Sequence, residues 1–488
     1  MRRRWSLGVH SIAAFAALVM ACGGGAKSPK PGFEGPIQAS VSTSKEREQV
    51  SITVYNGGYG LVREIRSVDM PIGRVALEFR DVAAQVEPET VHLKSLLDDD
   101  SLSVFEQNYR FDLLTPEKLL KKYVGKKVKL QRWNEKLGKD EEFEAEVLSV
   151  DGTPVMRVNG EITYGFPGRI SFPEVPANLI AQPTLVWLLG TSLAKQKLEV
   201  TYLTQGLGWN ADYVLVVDDK DASADLTGWV TLSNQSGTGF EDAQLKLVAG
   251  DVQRVSDESA ATGDTGGEYK AKKPDEPSFQ EEGFFEYHLY TLERPTTLLD
   301  NEQKQVTLLE AAGVKIDKKL IFFGQSYYYR GNYGQVASNQ KVGVYLDIQN
   351  KEDNHLGIPL PKGTIRVYKA DSSGAKQFIG EDHIDHTPRD EKLRLKMGDA
   401  FDVVADRKQT DWTAVSDCVS ESGWEIALRN HKDAATDVQV REPAEGDWEI
   451  LASNFPATKE DAQTFTFDVK VPAKGEIKIS YRVRVAWC

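Results

Sequence analysis

Cysteine is scarce in this chain, and basic residues are outnumbered by acidic ones. The 488 residues include 3 Cys, with 59 Lys and Arg against 73 Asp and Glu, which gives a net charge of −14. Three cysteines are too few for a disulfide-dense small domain or for a zinc ribbon. A protein without a surplus of cations has little with which to neutralise phosphates, so we expect no nucleic-acid partner.

The chain also lacks the short motifs that mark common catalytic sites. It contains no GxSxG, no HExxH, no P-loop and no GxGxxG after a predicted strand. The two cysteines that follow Cys22 lie in or near predicted strands, which disfavours a Cys–His nucleophile. Acidic residues are plentiful, so a glycosidase pair of carboxylates stays open. We expect a protein without enzymatic activity and without a cofactor.

One apolar run could enter a membrane, and it lies at the N-terminus. Arg2, Arg3 and Arg4 precede IAAFAALV, which is too short to span a bilayer. The next residues, VMAC, resemble the lipobox of bacterial lipoproteins, which predicts a signal peptide over residues 1–21 and acylation of Cys22. Ordinary secretion and an uncleaved anchor are the alternatives. Removal of the three arginines takes the net charge from −14 to −17.

The residues that follow Cys22 predict a tether and a location. Gly and Pro dominate residues 23–36, so we expect a flexible, acylated tether over residues 22–47. Gly23 stands where lipoproteins retained in the inner membrane often carry Asp, which favours the outer membrane. We therefore expect a lipid-anchored protein of the bacterial envelope that faces the periplasm, with the bilayer as one partner through Cys22.

The two remaining cysteines allow one intramolecular disulfide. An oxidising envelope permits a bond between Cys418 and Cys488, and on the chain-entropy view closing that loop stabilises the fold by about 4 kcal/mol. Two separate thiols are the alternative. We favour the disulfide, with a structural role only.

Apolar residues recur mainly with a period of two, which indicates half-buried strands. The pattern runs through residues 477–487 and 465–471, and the Pro472–Gly475 turn predicts a hairpin between them. Helical signals are few: Thr115 as N-cap, Pro116 at the first position and Gly125 as a stop predict about two turns. The sequence therefore predicts an all-β, multidomain chain of sandwich or barrel type.

Composition shifts divide the chain into predicted regions. Residues 126–175 carry short strands separated by Gly-containing turns, as in a small SH3-like barrel, and residues 256–283 are polar and rich in Gly and Pro. The predicted regions are the signal peptide 1–21, tether 22–47, N-terminal β domain 48–125, small β-barrel insert 126–190, β-sandwich strands 191–255, disordered acidic and polar loop 256–283, and C-terminal β-sandwich 284–488.

Several segments carry a resemblance to known proteins. They are VYNGGYGLVRE (54–64), DVAAQVEPETV (81–91), QGLGWNADYVL (205–215), GWVTLSNQSGTGFEDAQLKLVAGDV (228–252), LGIPLPKGTIRVYK (356–369), IGEDHIDHTPRDE (379–391) and GDAFDVVADR (398–407). Taken in order, these segments resemble the bacterial mucoidy inhibitor A-like family and its C-terminal domain of unknown function, over nearly all of residues 50–488. The resemblance implies an all-β envelope protein whose activity is not established, and the family's name suggests a negative influence on exopolysaccharide production. Longer members of the family have a helical, coiled-coil-like insert, where this sequence has short predicted strands.

Two constellations could carry chemistry. His383 and His386 form an HxxH that offers imidazole ligands to zinc or copper, but on a strand these positions point to opposite faces, so a polar loop is the favoured interpretation. Tyr327, Tyr329 and Tyr333 could form an aromatic platform that stacks on sugar rings. The alternative is a strand in which inner tyrosines are core and outer ones pair across the sheet.

These patterns favour binding or scaffolding at the periplasmic face of the envelope, with an unidentified protein partner. The principal alternative is a carbohydrate-binding or carbohydrate-active protein that uses the tyrosines of residues 327–333. Its partner would be the cell wall or exopolysaccharide, the polymers that an envelope lipoprotein meets. A metal-dependent protein that uses His383 and His386 is a third possibility.

Overall fold

The structure is a computed structural model that describes residues 33, 35–135, 138–176, 179–250, 252–254 and 279–488. Cys22, the predicted signal peptide and residues 256–278 of the predicted loop lie outside these residues. Within the described part of the chain the fold is almost entirely β, as predicted, with α1 (Pro116–Lys122) as its one α-helix. No helix in that part is long and apolar enough to cross a bilayer.

The strands follow one another through short turns. In chain order they are β1 (Gln38–Ser42), β2 (Arg47–Tyr55), β3 (Tyr59–Asp69), β4 (Gly73–Arg80), β5 (His92–Ser95), β6 (Leu102–Arg110), β7 (Lys127–Asn134), β8 (Lys139–Ser149), β9 (Val155–Val158), β10 (Glu161–Tyr164), β11 (Arg169–Ser171), β12 (Thr184–Thr191), β13 (Lys195–Gln205), β14 (Leu207–Val217) and β15 (Ser223–Asn234). The second half comprises β16 (Phe240–Ala249), β17 (Phe279–Phe284), β18 (Tyr287–Leu292), β19 (Thr296–Leu298), β20 (Glu302–Phe323), β21 (Gln335–Gln349), β22 (Gly363–Ala370), β23 (Lys376–Ile384), β24 (Lys392–Ser416), β25 (Val419–Asn430), β26 (Thr436–Pro443), β27 (Asp447–Ser453), β28 (Thr458–Asp461), β29 (Thr464–Val471) and β30 (Gly475–Ala486).

Two sheets build the N-terminal part of the molecule. One has four strands in the order β1-β4-β12-β6, and the other has eight, in the order β17-β18-β16-β2-β3-β13-β5 with β19 beside β16. Their inward residues alternate with outward ones, as Val50, Ile52 and Val54 of β2 show, and they meet in one hydrophobic core. Because β16 pairs with β2, residues far apart in sequence fold together.

The third sheet has 13 strands and passes through two cores. The first half of β20 packs into the core of the N-terminal sheets, whereas Leu320 and Phe322 pack into a second core. In β24, Leu395 likewise belongs to the first core and Val403 to the second. Long strands therefore join the two cores by continuous backbone, and no separate C-terminal domain begins at residue 284.

The inserted region is an open sheet and not the predicted barrel. Its five strands follow the order β10-β9-β8-β7-β11, and the two edge strands β10 and β11 do not pair with each other. α1 precedes this sheet as predicted, with the Thr115 side chain accepting a hydrogen bond from the backbone of Lys118. The insert has a small core of its own. It ends before β12, which pairs with β4 and β6, and therefore ends earlier than residue 190.

The predicted hairpin between β29 and β30 does not form. Both strands bury the expected residues, but β29 pairs with β26 and β28, whereas β30 pairs with β25 and β27. The side-chain amide of Asn430 donates hydrogen bonds to the carbonyls of Val471 and Pro472 at the turn, at 3.4 and 3.1 Å. The turn therefore joins two different strand ladders. A period of two fixes which face a residue occupies, but it does not choose the neighbouring strand.

Two further predictions are corrected at their edges. The predicted tether already contains β1, which runs parallel to β4, and the ring of Phe33 packs against Phe105. The predicted loop 256–283 overlaps β17, an edge strand that pairs with β18. Both segments are held by pairing with distant strands, which local composition does not reveal.

Buried asparagines anchor the ends of three strands in the same way. Asn234, Asn350 and Asn430 each donate from the side-chain amide to backbone carbonyls of nearby turns and accept a backbone N–H at the side-chain oxygen. Each asparagine thus satisfies polar groups where a ladder ends. The three asparagines therefore fix the turns that follow their strands by the same set of hydrogen bonds.

Cys418 and Cys488 are joined by a disulfide in the structure, with their Cα atoms 5.7 Å apart. Cys418 lies in the tight turn between β24 and β25, and Cys488 follows β30 at the end of the chain. The backbone N–H of Trp487 also donates to the carbonyl of Cys418 at 3.0 Å. The bond therefore ties the last strand to a neighbouring hairpin at the sheet's surface.

Candidate functional site

The run of three tyrosines lies in a short 3-10 helix and not in a strand. This helix, Ser326–Arg330, connects β20 to β21, the strands that link the two cores. Successive side chains of a 3-10 helix point in directions about 120° apart, so neighbouring tyrosines differ in burial. The helix therefore turns Tyr327 outward, and it turns Tyr328 and Tyr329 inward.

Tyr327 and Tyr333 form an exposed aromatic pair on the surface of the second core. Their side chains are 50% and 44% exposed, and their ring centroids are 5.8 Å apart at an interplanar angle of 73°. Arg330 and Glu445 lie beside them as an ion pair with a distance of 2.5 Å. We call the surface formed by Tyr327, Arg330, Tyr333 and Glu445 the aromatic ledge.

Tyr329 is not part of this surface, which corrects the predicted platform of three tyrosines. Its side chain is 1% exposed, and its hydroxyl donates to Glu442 Oε2 at 2.9 Å. The same hydroxyl lies 3.2 Å from the hydroxyl of Tyr481. Burial raises the pKa of Tyr329 well above its usual range, so the phenol stays neutral. Tyr329 thus anchors the helix from inside the core.

A buried ion pair lies directly beneath the helix. Arg407 Nη2 donates to Glu442 Oε1 at 2.5 Å, and both side chains are almost fully buried. Burial opposes the charge on Arg407, but the Glu442 carboxylate outweighs it and raises the pKa of the guanidinium. The guanidinium also stacks over the rings of Phe322 and Tyr328, at 4.8 and 5.1 Å from their centroids.

Close packing around this ion pair fixes the start of the ledge. A Cβ atom at Gly324, the residue after β20, would lie 2.2 Å from Glu442 Oε2 and 2.7 Å from Arg407 Nη1. Only glycine therefore lets the backbone approach the pair. The N–H of Gly324 donates to the carbonyl of Arg441 at 2.8 Å, which aligns β20 with β26 just before the chain enters the helix.

Buried side chains also hold the loop after the helix. Gln409 Oε1 accepts a hydrogen bond from the backbone N–H of Tyr333 at 2.6 Å, and its amide donates to the carbonyl of Gly331 at 2.9 Å. Ser420 donates to the carbonyl of Tyr329 at 2.6 Å. The two exposed rings therefore stand on a backbone that is fixed on both sides, and such a surface binds with little loss of conformational freedom.

The residues that support the ledge were not predicted, although a pattern in the sequence points to them. In β24, Val403, Ala405, Arg407 and Gln409 occupy the buried face, and in β26, Val438, Val440 and Glu442 do the same. A single charge in an apolar alternation predicts an inward polar group, and two opposite charges of this kind predict a buried pair. Which strands bring them together remains a matter of topology.

The two histidines have different surroundings. His383 lies at the exposed edge of β23, where its Nδ1 is 3.1 Å from the hydroxyl of Thr364. His386 follows that strand, and its Nδ1 accepts from the backbone N–H of Lys362 at 3.2 Å. No three His, Cys, Asp or Glu side chains among the described residues are arranged to hold a metal ion. The two imidazoles therefore have separate hydrogen-bond partners, His383 in a strand and His386 after it, and a metal site at these residues stays a prediction.

Two clefts in the described part of the chain are lined by residues outside the ledge. One, of about 650 Å³, is on the inserted sheet between Lys127, Phe143 and Phe172. The other, of about 540 Å³, is lined by polar residues that include Arg47, Asp81 and Glu241. The ledge, in contrast, is an exposed pair of aromatic rings, which suits the ring faces of a polymer better than a small enclosed ligand.

Comparison with known proteins places most of the chain in a family. A domain of unknown function, DUF4139, matches residues 198–488, and no curated protein matches the chain. The matched region contains the entire ledge and its support. Two strands of the matched region pair with strands that precede the match: β13 pairs with β3, and β16 pairs with β2. The family domain therefore folds here together with N-terminal strands. The chain belongs to the DUF4139 family.

Proposed function

We propose that the chain is a lipid-anchored, non-enzymatic protein of the bacterial envelope that binds a glycan polymer through the aromatic ledge. The lipobox-like VMAC sequence supports acylation of Cys22, and residue 23 as glycine supports an outer-membrane location facing the periplasm. The motifs that resemble the mucoidy inhibitor A-like family support a role that restrains exopolysaccharide production. The bilayer and the polymer are then its two partners.

The observation that carries this proposal is the exposed pair of Tyr327 and Tyr333 on a fixed backbone. Sugar rings present apolar C–H faces that stack on aromatic rings, and hydroxyl groups that need donors and acceptors. Arg330 supplies N–H donors and Glu445 supplies carboxylate acceptors next to the rings. The ledge therefore offers both kinds of contact within one small surface.

The same geometry supports binding over hydrolysis. Glu445 is held by Arg330 and by the hydroxyl of Ser326, which donates to it at 3.0 Å. A carboxylate engaged in this way accepts hydrogen bonds, whereas a glycosidase needs two carboxyl groups that face the same sugar ring. The other nearby carboxylate, that of Glu442, is buried beneath the helix and engaged by Arg407.

Co-sedimentation tests this function. Purified protein is incubated with insoluble peptidoglycan and, separately, with exopolysaccharide, and the bound fraction is measured for wild type and for the double variant Tyr327→Ala, Tyr333→Ala. Phe401→Ala is the matched control, because Phe401 is an aromatic residue that is 86% exposed on β24, outside the ledge. We expect wild type and the control to sediment and the double variant to stay in solution. No sedimentation of wild type with either polymer would refute the glycan proposal and leave protein scaffolding as the function.

A further inference from the structure

Apolar side chains are concentrated at one end of the four-stranded N-terminal sheet. We call this surface the apolar rim, and its members are Phe33, Ile37, Ile72, Phe105 and Leu193. Ile37 and Ile72 are 53% and 60% exposed. Aliphatic side chains that remain in water at a sheet end indicate a surface that another phase or molecule covers.

The strand register places these residues together. Gly73 pairs with Thr191, so Ile72 and Leu193 lie in neighbouring turns at the same end of the sheet. Gln38 pairs with Val75, which brings Ile37, just before β1, to that end as well. A backbone hydrogen bond of 2.9 Å from Met70 to Ala194 holds the two turns side by side.

Phe33 joins the N-terminal chain to this rim. Its ring lies on the sheet at Gly190, where a Cβ atom would be 2.2 Å from the ring, and its centroid is 6.4 Å from that of Phe105. Any residue other than glycine at position 190 would displace the ring. The structure thus seats the ring of Phe33 against the end of the sheet that carries the rim.

The number of residues between Cys22 and Phe33 limits how far the rim can lie from an anchor at Cys22. Cys22 precedes Phe33 by 11 residues, which span at most about 40 Å in any conformation. A compact chain of 488 residues has a radius of gyration of roughly 23 Å. An acyl anchor at Cys22 therefore keeps the rim closer to the bilayer than most of the remaining surface.

We propose that the apolar rim rests on the lipid bilayer and orients the protein on the membrane surface. This inference rests on the proposed acylation of Cys22. Isoleucine, leucine and phenylalanine side chains at the rim enter the boundary between headgroups and acyl chains, as the apolar face of a peripheral protein does. The anchor supplies attachment, and the rim supplies orientation.

Charges near the rim indicate the kind of lipid. The acidic turn Asp98–Asp100 precedes Ser101, whose carbonyl accepts a hydrogen bond from Ser192, and Arg74 and Lys195 lie next to the two rim turns. Both signs are present, so the rim carries no cationic surplus for strongly anionic membranes. A bilayer of zwitterionic phosphatidylethanolamine and phosphatidylcholine is the appropriate probe.

Fluorescence quenching by nitroxide-labelled lipids tests the proposal with the full chain purified from a bacterial host. Ile72→Cys carries an environment-sensitive fluorophore, Leu193→Cys provides a second rim position, and Phe401→Cys is the control at an exposed position of β24 outside the rim. All three side chains are exposed, so the substitutions leave the cores intact. Cys418 and Cys488 are bonded to each other and do not react with the label.

In vesicles, we expect emission from positions 72 and 193 to shift to shorter wavelength and to lose intensity to the nitroxide lipids, while position 401 is unchanged. Rim probes that behave like the probe at 401 would overturn the proposal. Self-quenching between rim probes in detergent, without quenching by lipid, would assign the rim to a second copy of the chain and overturn it as well. The mass of the protein reports acylation of Cys22 separately, and an unacylated chain refutes the anchor. In that case Cys22 would also react with the label, so the quenching is repeated with Cys22→Ser to test the rim by itself.

Discussion

Asp347 provides the strongest quantitative test of how the long sheet is held together. It lies on β21 between strands β20 and β24, and its side chain is 4% exposed. Arg394 Nε donates to it at 2.7 Å, and the ammonium groups of Lys392 and Lys319 lie 2.5 and 3.3 Å away. β20 and β21 are also the strands that enter and leave the aromatic ledge.

The pKa of Asp347 sets the expected magnitude. Burial acts to raise this pKa, but hydrogen bonds and charges from Arg394 and Lys392 outweigh it and lower the pKa from 3.8 to about 2. That difference corresponds to about 2 kcal/mol of stability. Because the pKa is lower in the folded state, the contribution is complete above pH 4 and is lost as the pH falls through about 2.

Asp347→Asn should therefore lower the free energy of unfolding by about 2 kcal/mol at neutral pH, and the difference from wild type should shrink towards pH 2. Urea denaturation at a series of pH values measures both effects. Asp317→Asn is the matched control, because Asp317 also contacts Lys319, at 3.4 Å, but is 68% exposed. It should change stability by less than about 0.5 kcal/mol. A loss at Asp347 that is no larger than at Asp317, or that does not depend on pH, would refute this reasoning.

Three further predictions concern the second core and the strands around it, and urea denaturation measures each of them. Glu442→Gln leaves the buried guanidinium of Arg407 without its counter-charge and should cost about 3 kcal/mol, whereas replacing both residues by apolar ones of similar size should restore most of the loss. Replacing both Cys418 and Cys488 by Ala should cost up to about 4 kcal/mol, and a reducing agent should lower the stability of wild type but not of that variant. Asn430→Ala removes bonds to three carbonyls and one N–H and should cost about 3 kcal/mol; an unchanged unfolding midpoint would contradict its anchoring role.

The sequence was sufficient for features that depend on neighbours along the chain. Alternation identified the buried residues of β29 and β30, and the Thr115 cap and Gly125 stop located α1. These signals are local, because a side chain's face on a strand and the capping of a helix are decided within a few residues. The number of cysteines left one possible pairing beside two separate thiols, and the structure contains the bond.

Features that depend on which strands become neighbours were not accessible in this way. The turn at Pro472–Gly475 joins two different strand ladders instead of forming the predicted hairpin, and the predicted barrel is an open sheet. Both predictions were wrong because the pairing of strands depends on residues that are far apart in the sequence. The ledge shows the same limit. Tyr327 and Tyr333 are brought together by a 3-10 helix whose position is set by Arg407 and Glu442, which are on strands separated by β25 in the sequence.

The measurement that tests the central claim most directly compares Tyr327→Phe with Tyr327→Ala in a binding isotherm on the insoluble polymer. Phenylalanine keeps the ring that stacks on a sugar and removes only the hydroxyl, whereas alanine removes the ring. We predict that Tyr327→Phe binds within a factor of about two of wild type and that Tyr327→Ala binds about three- to tenfold more weakly, the loss expected for one stacked ring. Equal affinities of the alanine variant and wild type would contradict glycan binding at the ledge.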